Sequence, residues 1–406
     1  MELSRLTKPV HGTHQRFTKG ARGELRRCYL ILARRLRGFP YNEPVATSSY
    51  GVNLEIVENS QLSTSNKAAF PLMNLSAHII GAGGIGIAAA ACLVRAGWNV
   101  TMVESNPGKV AAGRRNEMTL DGHPIHGTHF VHFDEWIPPK EAAVLLCTKT
   151  FDNAPILQRI ANTQTLVPIQ NGYDKALERF HHPVEAIASF VSECPADSLN
   201  ARITRAGSLH IGPRRTVGSA ERERIGVLAA AFAKAGLFPV EGVGDIGPFK
   251  STKLMYNSAI SPLAASAGVD NAELLIDPLT QKLFFALLRE NYSILRHAGL
   301  ALEKIGPFHP DTVMRILQTP FLPNLMGLFF RPSLRGTYCS MSPDMGSGQT
   351  EIDAYNGHLV RLAGDFPCPI NNAVIKLVDR ISRQRLPKAR THLHHLMSSL
   401  PDSVLI

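Results

Sequence analysis

Glycines 81, 83 and 86 stand in G-x-G-x-x-G spacing within SAHIIGAGGIGIAAAACLVRAGWNVTMVE, residues 76–104. The spacing suits a pyrophosphate. The first glycine permits a tight turn, the second lets backbone approach the phosphates, and the third lets a helix lie close on a strand. The helix that follows offers unpaired N–H groups and the positive end of its dipole. Gly81, Ala82, Gly83, Gly84, Ile85 and Gly86 are therefore candidate phosphate-binding residues. Glu104, 23 residues after Gly81, is placed to accept hydrogen bonds from ribose hydroxyls. The bland alternatives are a glycine-rich loop in an ordinary α/β domain and a membrane segment. The apolar run 79–94 is only 16 residues, short of the ~20 needed to span a bilayer. A lone glycine motif is weak, but here strand, glycines, helix, second strand and acidic end follow in order.

A second set of chemistry-bearing residues lies farther on. Lys253, Asn257 and Ser261 are spaced i, i+4, i+8 and share one helix face. An ammonium, an amide and a hydroxyl beside Leu254, Met255 and Ile260 suit a helix that faces a substrate; a solvated face is the alternative. Lys149 and Asn171 follow apolar runs of strand length, 142–148 and 165–169. Polar groups at the carboxyl ends of parallel strands face the ligand crevice of such sheets. A surface lysine and a turn asparagine before glycine are the bland readings there. His392, His394 and His395 have no nearby Cys, Asp or Glu to complete a metal site, so no metal is expected.

The elements that must position these groups can be read from pattern. Strands are expected at 77–80, 98–103, 142–148 and 165–169, with a helix over 87–95 between the first two. More sheet follows over 184–213, then a helix at 227–235 and a last strand at 237–240. From about residue 245 the pattern changes to long helices, at 279–298, 312–317, 351–363 and 371–385, with 320–332 as an irregular connection. The expected division is an extension at 1–72, a Rossmann-type α/β dinucleotide-binding domain at 73–245, an all-α domain at 246–388 and a polar tail at 389–406.

Bulk numbers narrow the class. A chain of 406 residues, 44% hydrophobic and 19% charged, has room for two sizeable cores. Its six cysteines (28, 92, 147, 194, 339, 368) include no C-x-x-C pair, which fits a reducing cytoplasm. Of the net charge of +10, a surplus of eight belongs to residues 1–40, which hold ten Lys and Arg against Glu2 and Glu24. The basic character is thus not that of the catalytic body, and no nucleic-acid or membrane partner is expected for it. For 1–72 four readings compete: a basic arm, a targeting peptide, a disordered tail, or a start site truly at Met73.

The order GAGGIG, Lys149, QNG (170–172), KLMYN (253–257), SM-x-x-D (340–344) and TEID (350–353) resembles the ketopantoate reductase family over roughly residues 73–385. The resemblance implies a Rossmann domain followed by an all-helical domain, with the active site in the cleft between them. It implies reduction of ketopantoate (2-dehydropantoate) to pantoate with NADPH or NADH, a step toward pantothenate and coenzyme A. The family's catalytic lysine falls on Lys253, which as an ammonium would polarise the ketone and supply a proton. Its glutamate falls on Glu351, which would hold the substrate hydroxyl and help position Lys253. Asn171 would sit between cofactor and substrate, and Asn257, Asn271 and Ser340 match positions binding the acid's carboxylate and hydroxyl. A homodimer is compatible with the resemblance.

The departures concern specificity. Ser261 stands where the family has an asparagine, and Gln349 where it has an arginine; the linker 344–351 is one residue shorter. Glu104-Ser105-Asn106 replaces the basic residue that many members use for the 2′-phosphate of NADPH. Like charges about 4 Å apart at an effective dielectric near 20 repel by roughly 4 kcal/mol before solvent screening. NADH is therefore the expected preference, with Arg114 and Arg115 as the cations able to oppose it. Two other functions remain in play: a related dehydrogenase of another small 2-keto acid, and a non-catalytic dinucleotide sensor.

Overall fold

The computed structural model describes residues 75–160, 165–319 and 322–405. The basic segment 1–72 and the start site at Met73 lie outside the described residues. Strands run β1 (Ser76–Ile80), β2 (Asn99–Glu104), β3 (Thr119–Leu120), β4 (His123–Pro124), β5 (Thr128–His132), β6 (Ala143–Leu146), β7 (Leu166–Pro168), β8 (Val184–Ala188), β9 (Val191–Glu193), β10 (Asn200–Arg205), β11 (Leu209–Pro213) and β12 (Val240–Gly242). Five of them form a sheet in the order β5-β2-β1-β6-β7, parallel throughout. Because every strand points the same way, Gly81, Glu104, Lys149 and Asn171 all follow or end strands along one edge, where ligands bind in such sheets.

Burial on both faces explains why these strands read as unbroken apolar runs. Ala77, Ile79, Val100, Met102 and Leu145 join one core with the helix α1 (Gly84–Arg95). Ile80, Val103, Val144, Leu146 and Leu166 join a second on the opposite face. Helix α1 starts three residues before the expected 87, because Gly84 and Gly86 sit where the chain crosses closely over neighbouring backbone. A Cβ on Gly86 would lie 1.9 Å from the Gly81 carbonyl oxygen. Two smaller sheets, β4-β3-β10-β9 and β12-β11-β8, flank the main one. The remaining helices of this half are α2 (Pro107–Arg114), α3 (Asn153–Arg159), α4 (Lys175–Glu178) and α5 (Ser219–Lys234).

From residue 247 the described chain is helical: α6 (Gly247–Ala267), α7 (Pro278–His297), α8 (Pro310–Gln318), α9 (Leu322–Leu334), α10 (His358–Ala363), α11 (Pro369–Arg383), α12 (Thr391–Ser399) and α13 (Asp402–Leu405). A π-turn, Asp353–Gly357, precedes α10. Helix α6 ends at Gly268 in the left-handed conformation (φ +69). Helix α7 begins with Asp277 capping Leu279 and Thr280 N–H groups and Pro278 in its first turn.

Two expectations fail here. Residues 322–334 are a helix, not an irregular connection: Pro332 falls near its end, and Leu322 and Met326 are buried along one side. The expected polar tail 389–406 is not a tail within the described residues. Leu393, Leu396 and Leu405 are buried, and α12 packs on α6 and α7. Its histidines hid an i, i+3 apolar spacing that the eye takes for a polar run. No helix among the described residues is long and apolar enough to cross a membrane.

Candidate active site

The glycine turn is clamped from the end of β2. Glu104 accepts from the Ala82 N–H at 2.9 Å through one oxygen, and from Ser105 and Asn106 N–H at 2.8 and 3.0 Å through the other. Lys109, buried in α2, donates to the Ala82 carbonyl at 3.0 Å. Both backbone polar groups of one residue are thereby held by opposite charges. The N-terminus of α1 has no side-chain cap, and a Cβ at Gly83 would meet open space. An uncapped helix start behind an unobstructed turn, with a carboxylate at the ribose position, fits a nicotinamide dinucleotide. Arg114 pairs with Glu135 at 3.2 Å and Arg115 with Glu117 at 2.6 Å, so both arginines expected to favour a 2′-phosphate have acidic partners already. Asp152 adds negative charge nearby: burial first, then Glu104 and Glu351, push its carboxyl up to about 6.

Helix α6 carries Lys253 into the region between the two halves. Its first turn is anchored by Lys250, whose ammonium meets Glu185 of β8 at 2.7 Å, with side chains 4% and 1% exposed. Arg214 and His182 also contact Glu185. Burial alone would raise that carboxyl, but Lys250, His182 and Arg214 hold it down at about 2. Glu178, His182 and Glu185 could group around a metal ion by distance, yet Arg214 and Lys250 already supply the countercharge there. Lys250 also lies over the Tyr173 ring, 4.3 Å from its centre, which ties α6 to the turn after Asn171.

Farther along α6, Pro262 has no N–H, so the Ser258 carbonyl four residues back loses its helical donor. Asn356 donates to that carbonyl at 2.9 Å, and its amide also meets Asn371 at 2.8 Å. Asn371 in turn bonds Asn291 and Glu290. This buried chain of amides locks α6 to α7, the π-turn and α11.

Lys253 itself is half-buried and makes no hydrogen bond or ion pair among the described residues. Burial, with the Arg205 guanidinium second, brings its pKa down to about 7. Arg205, at the end of β10, donates to the Ser189 carbonyl at 3.0 Å and has no carboxylate partner among the described residues. Sequence reasoning missed Arg205; the available signal was an arginine closing the alternating stretch 200–205.

The other expected residues separate into those that meet and those that do not. Glu351 accepts from the Thr150 N–H and hydroxyl at 3.3 and 3.4 Å, and lies 3.5 Å from the Lys149 ammonium. Its ion pair is thus with Lys149, and no hydrogen bond joins it to Lys253, contrary to the positioning role expected for it. Lys149 reaches across from β6 to the Ser340 carbonyl and to Asp344 at 2.7 Å. Its ammonium serves the helical half, a different engagement from the cofactor contact expected at a strand end. Asn171 is half-buried with a side chain that makes no hydrogen bond among the described residues, and Gln170 beside it is fixed to Thr148 and Asn153. Asn257 and Ser340 both converge on the Tyr355 hydroxyl. Ser261, expected to face substrate, is buried at 3% exposure. Asn271 is also buried and donates to Thr337 at 3.0 Å, outside that convergence.

A parallel dinucleotide-binding sheet joined to a helical half, with a lysine of depressed pKa beside it, defines a pyridine-nucleotide oxidoreductase. Residues 77–216 match the family model described as Ketopantoate reductase PanE/ApbA, and residues 245–382 match Ketopantoate reductase PanE/ApbA C terminal. The chain belongs to the ketopantoate reductase family. A relative from Aquifex aeolicus (strain VF5), named 2-dehydropantoate 2-reductase, is 25% identical over 321 residues, covering 74% of this chain and 94% of its own. A PanE/ApbA family ketopantoate reductase from Ralstonia eutropha JMP134 superposes with a TM-score of 0.61 at 22% identity, covering 77% of this chain and 99% of that one. D-mandelate dehydrogenase, solved with NADH and anilino(oxo)acetate, also gives 0.61, at 17% identity, over 82% and 100%. At such identities the two structures establish the fold.

Proposed function

We propose that this enzyme reduces a small, branched 2-keto acid to the 2-hydroxy acid, with Lys253 as the proton donor. The observation that carries the reading is an ammonium with no counter-ion among the described residues, whose pKa is brought to about 7, the range in which a general acid works at neutral pH. A bound nicotinamide dinucleotide supplies hydride to the keto carbon. Lys253 polarises the keto oxygen and gives it a proton. Arg205 receives the acid's carboxylate in a two-pronged contact, and Asn171 orients the keto group. Lys149 holds Glu351 and Asp344 in place, its ammonium opposing the burial that pushes both carboxyls up, and Asn257 and Ser340 line the distal end. NADH is the preferred cofactor, because Glu104 and Asp152 face the ribose end while Arg114 and Arg115 are paired elsewhere.

The relatives' name points to 2-dehydropantoate (ketopantoate) as substrate, and the family resemblance adds a step toward coenzyme A as the purpose. A second reading, a related 2-keto acid, is favoured by Ser261 and Gln349 in place of the family's residues. The division into a dinucleotide-binding domain at 73–245 and a catalytic domain at 246–388, a cytoplasmic site of action and a homodimer belong to the same proposal. Purified protein assayed with ketopantoate and a panel of 2-keto acids, under NADH and NADPH, tests it. Turnover with NADH ahead of NADPH is expected; no oxidation of either cofactor with any acid overturns the enzyme reading.

A further inference from the structure

Tyr355 was not singled out by any motif, yet three candidate substrate residues turn toward it. Its side chain is fully buried. Its hydroxyl donates to Glu351 at 3.4 Å, meets the Ser340 hydroxyl at 3.2 Å, and lies within hydrogen-bonding reach of the Asn257 amide. With its proton directed to Glu351, the phenol oxygen accepts from Ser340, and the Asn257 amide lies beside it. The ring is wedged under the turn after β7. Gly172 has φ +75, and a Cβ there would come within 2.6 Å of the ring. The Tyr173 N–H donates to the Ala354 carbonyl at 2.9 Å, closing the same contact. Burial and the neighbouring Glu351 carboxylate keep the phenol protonated, which suits a fixed hydrogen-bonding group rather than a proton carrier.

We propose that Tyr355 is a specificity-determining residue: its hydroxyl occupies the hydrogen-bonding positions that Glu351, Ser340 and Asn257 would otherwise offer to a second hydroxyl on the substrate, so the enzyme selects branched 2-keto acids without one. The proposal rests on the keto-acid reading above and narrows it to a substrate class. A hydroxyl brought to this end of the site meets a Glu351 oxygen and a Ser340 hydroxyl already engaged by the phenol, and a pocket that offers such a group little disfavours it by up to about 10²-fold.

Two acids that differ by one hydroxyl supply the test: ketopantoate and 3,3-dimethyl-2-oxobutanoate. With full-length protein and NADH, kcat/KM is expected to favour the second by about tenfold to 10²-fold. Tyr355→Phe keeps the ring and frees the three partners, so the ratio should fall toward unity with the main gain in KM for ketopantoate. Tyr355→Leu, which also opens space, should move the ratio further the same way; thermal melts identify any variant that does not fold. A wild-type preference for ketopantoate overturns the inference while leaving keto-acid reduction standing, and needs no variant. An unchanged ratio in folded Tyr355→Phe also overturns it. Failure of the wild type to reduce either acid, or any other 2-keto acid, sinks the underlying reading and this inference with it.

Discussion

Lys250 and Lys253 lie one turn apart on α6, and their surroundings make them opposites. Lys250 is enclosed with Glu185 at 2.7 Å, an arginine and a histidine around the same carboxylate, and an aromatic ring beneath it. Lys253 is more open and has no acidic partner among the described residues. A buried cation beside an anion is held charged and still. A cation that is desolvated without one gives up its proton more readily. The first arrangement fixes a helix; the second leaves the next turn of that helix with the group proposed above as the proton donor. Structural and reactive charge are thus separated by three residues, and it is the partner, not the residue type, that separates them.

The comparison breaks most visibly at Lys253. Lys253→Ala should lower kcat by roughly 10²–10⁴-fold while leaving NADH affinity, read by fluorescence titration, nearly unchanged. Near-normal turnover would remove Lys253 from the chemistry. Glu185→Gln attacks the other side. Leaving Lys250 buried without its anion should cost about 3–5 kcal/mol in denaturant unfolding, and kinetic losses should follow loss of fold. A variant with wild-type stability would mean the pair does not anchor α6.

Proton linkage sharpens the contrast, because the two sites titrate at opposite ends. Lys253 loses its proton as pH rises through about 7, so kcat/KM for keto-acid reduction should fall about tenfold per pH unit above that point. The limb should vanish in Lys253→Ala; its survival there would assign it to another group. Glu185 is held below its usual 4.5, at about 2. Its contribution to stability is therefore present above about pH 4.5 and lost as pH falls toward 2. Glu185→Gln should flatten stability across that acid window. The smallest effect concerns the ribose end: Glu104→Gln should shift the NADPH-to-NADH ratio of kcat/KM upward by about two- to fivefold. A shift the other way would contradict the assigned repulsion.

What could be read from the chain tracks how local the physics is. The glycine turn, β1, α1, β2 and Glu104 were legible because each depends on residues within one short segment. Lys253 and Asn257 were legible as a helix face, and the family resemblance named their roles. Partnerships were not. Lys149 meets Asp344 and Glu351 only because β6 ends opposite a loop nearly two hundred residues later. The same applies to Tyr355, whose neighbours come from α6, the 340 region and the turn after β7. Pro262 announced a freed carbonyl, but not that Asn356 would satisfy it. The helix at 391–399 was missed because three histidines masked Leu393 and Leu396, whose burial depends on α6 and α7.

That last helix has a consequence for synthesis. Leu393 is fully buried against a bundle whose first member, α6, ends at residue 267. At about 5–20 residues per second, roughly 6–25 s separate the making of α6 from the making of its final cover. Throughout that interval the ribosome carries a helix whose apolar side chains and proline-freed carbonyl still await their neighbours. The dinucleotide-binding sheet is finished well before then. The nascent enzyme is therefore a complete parallel-sheet half trailing an unfinished helical one, and it is the latter that most needs protection from aggregation on the way to its native state.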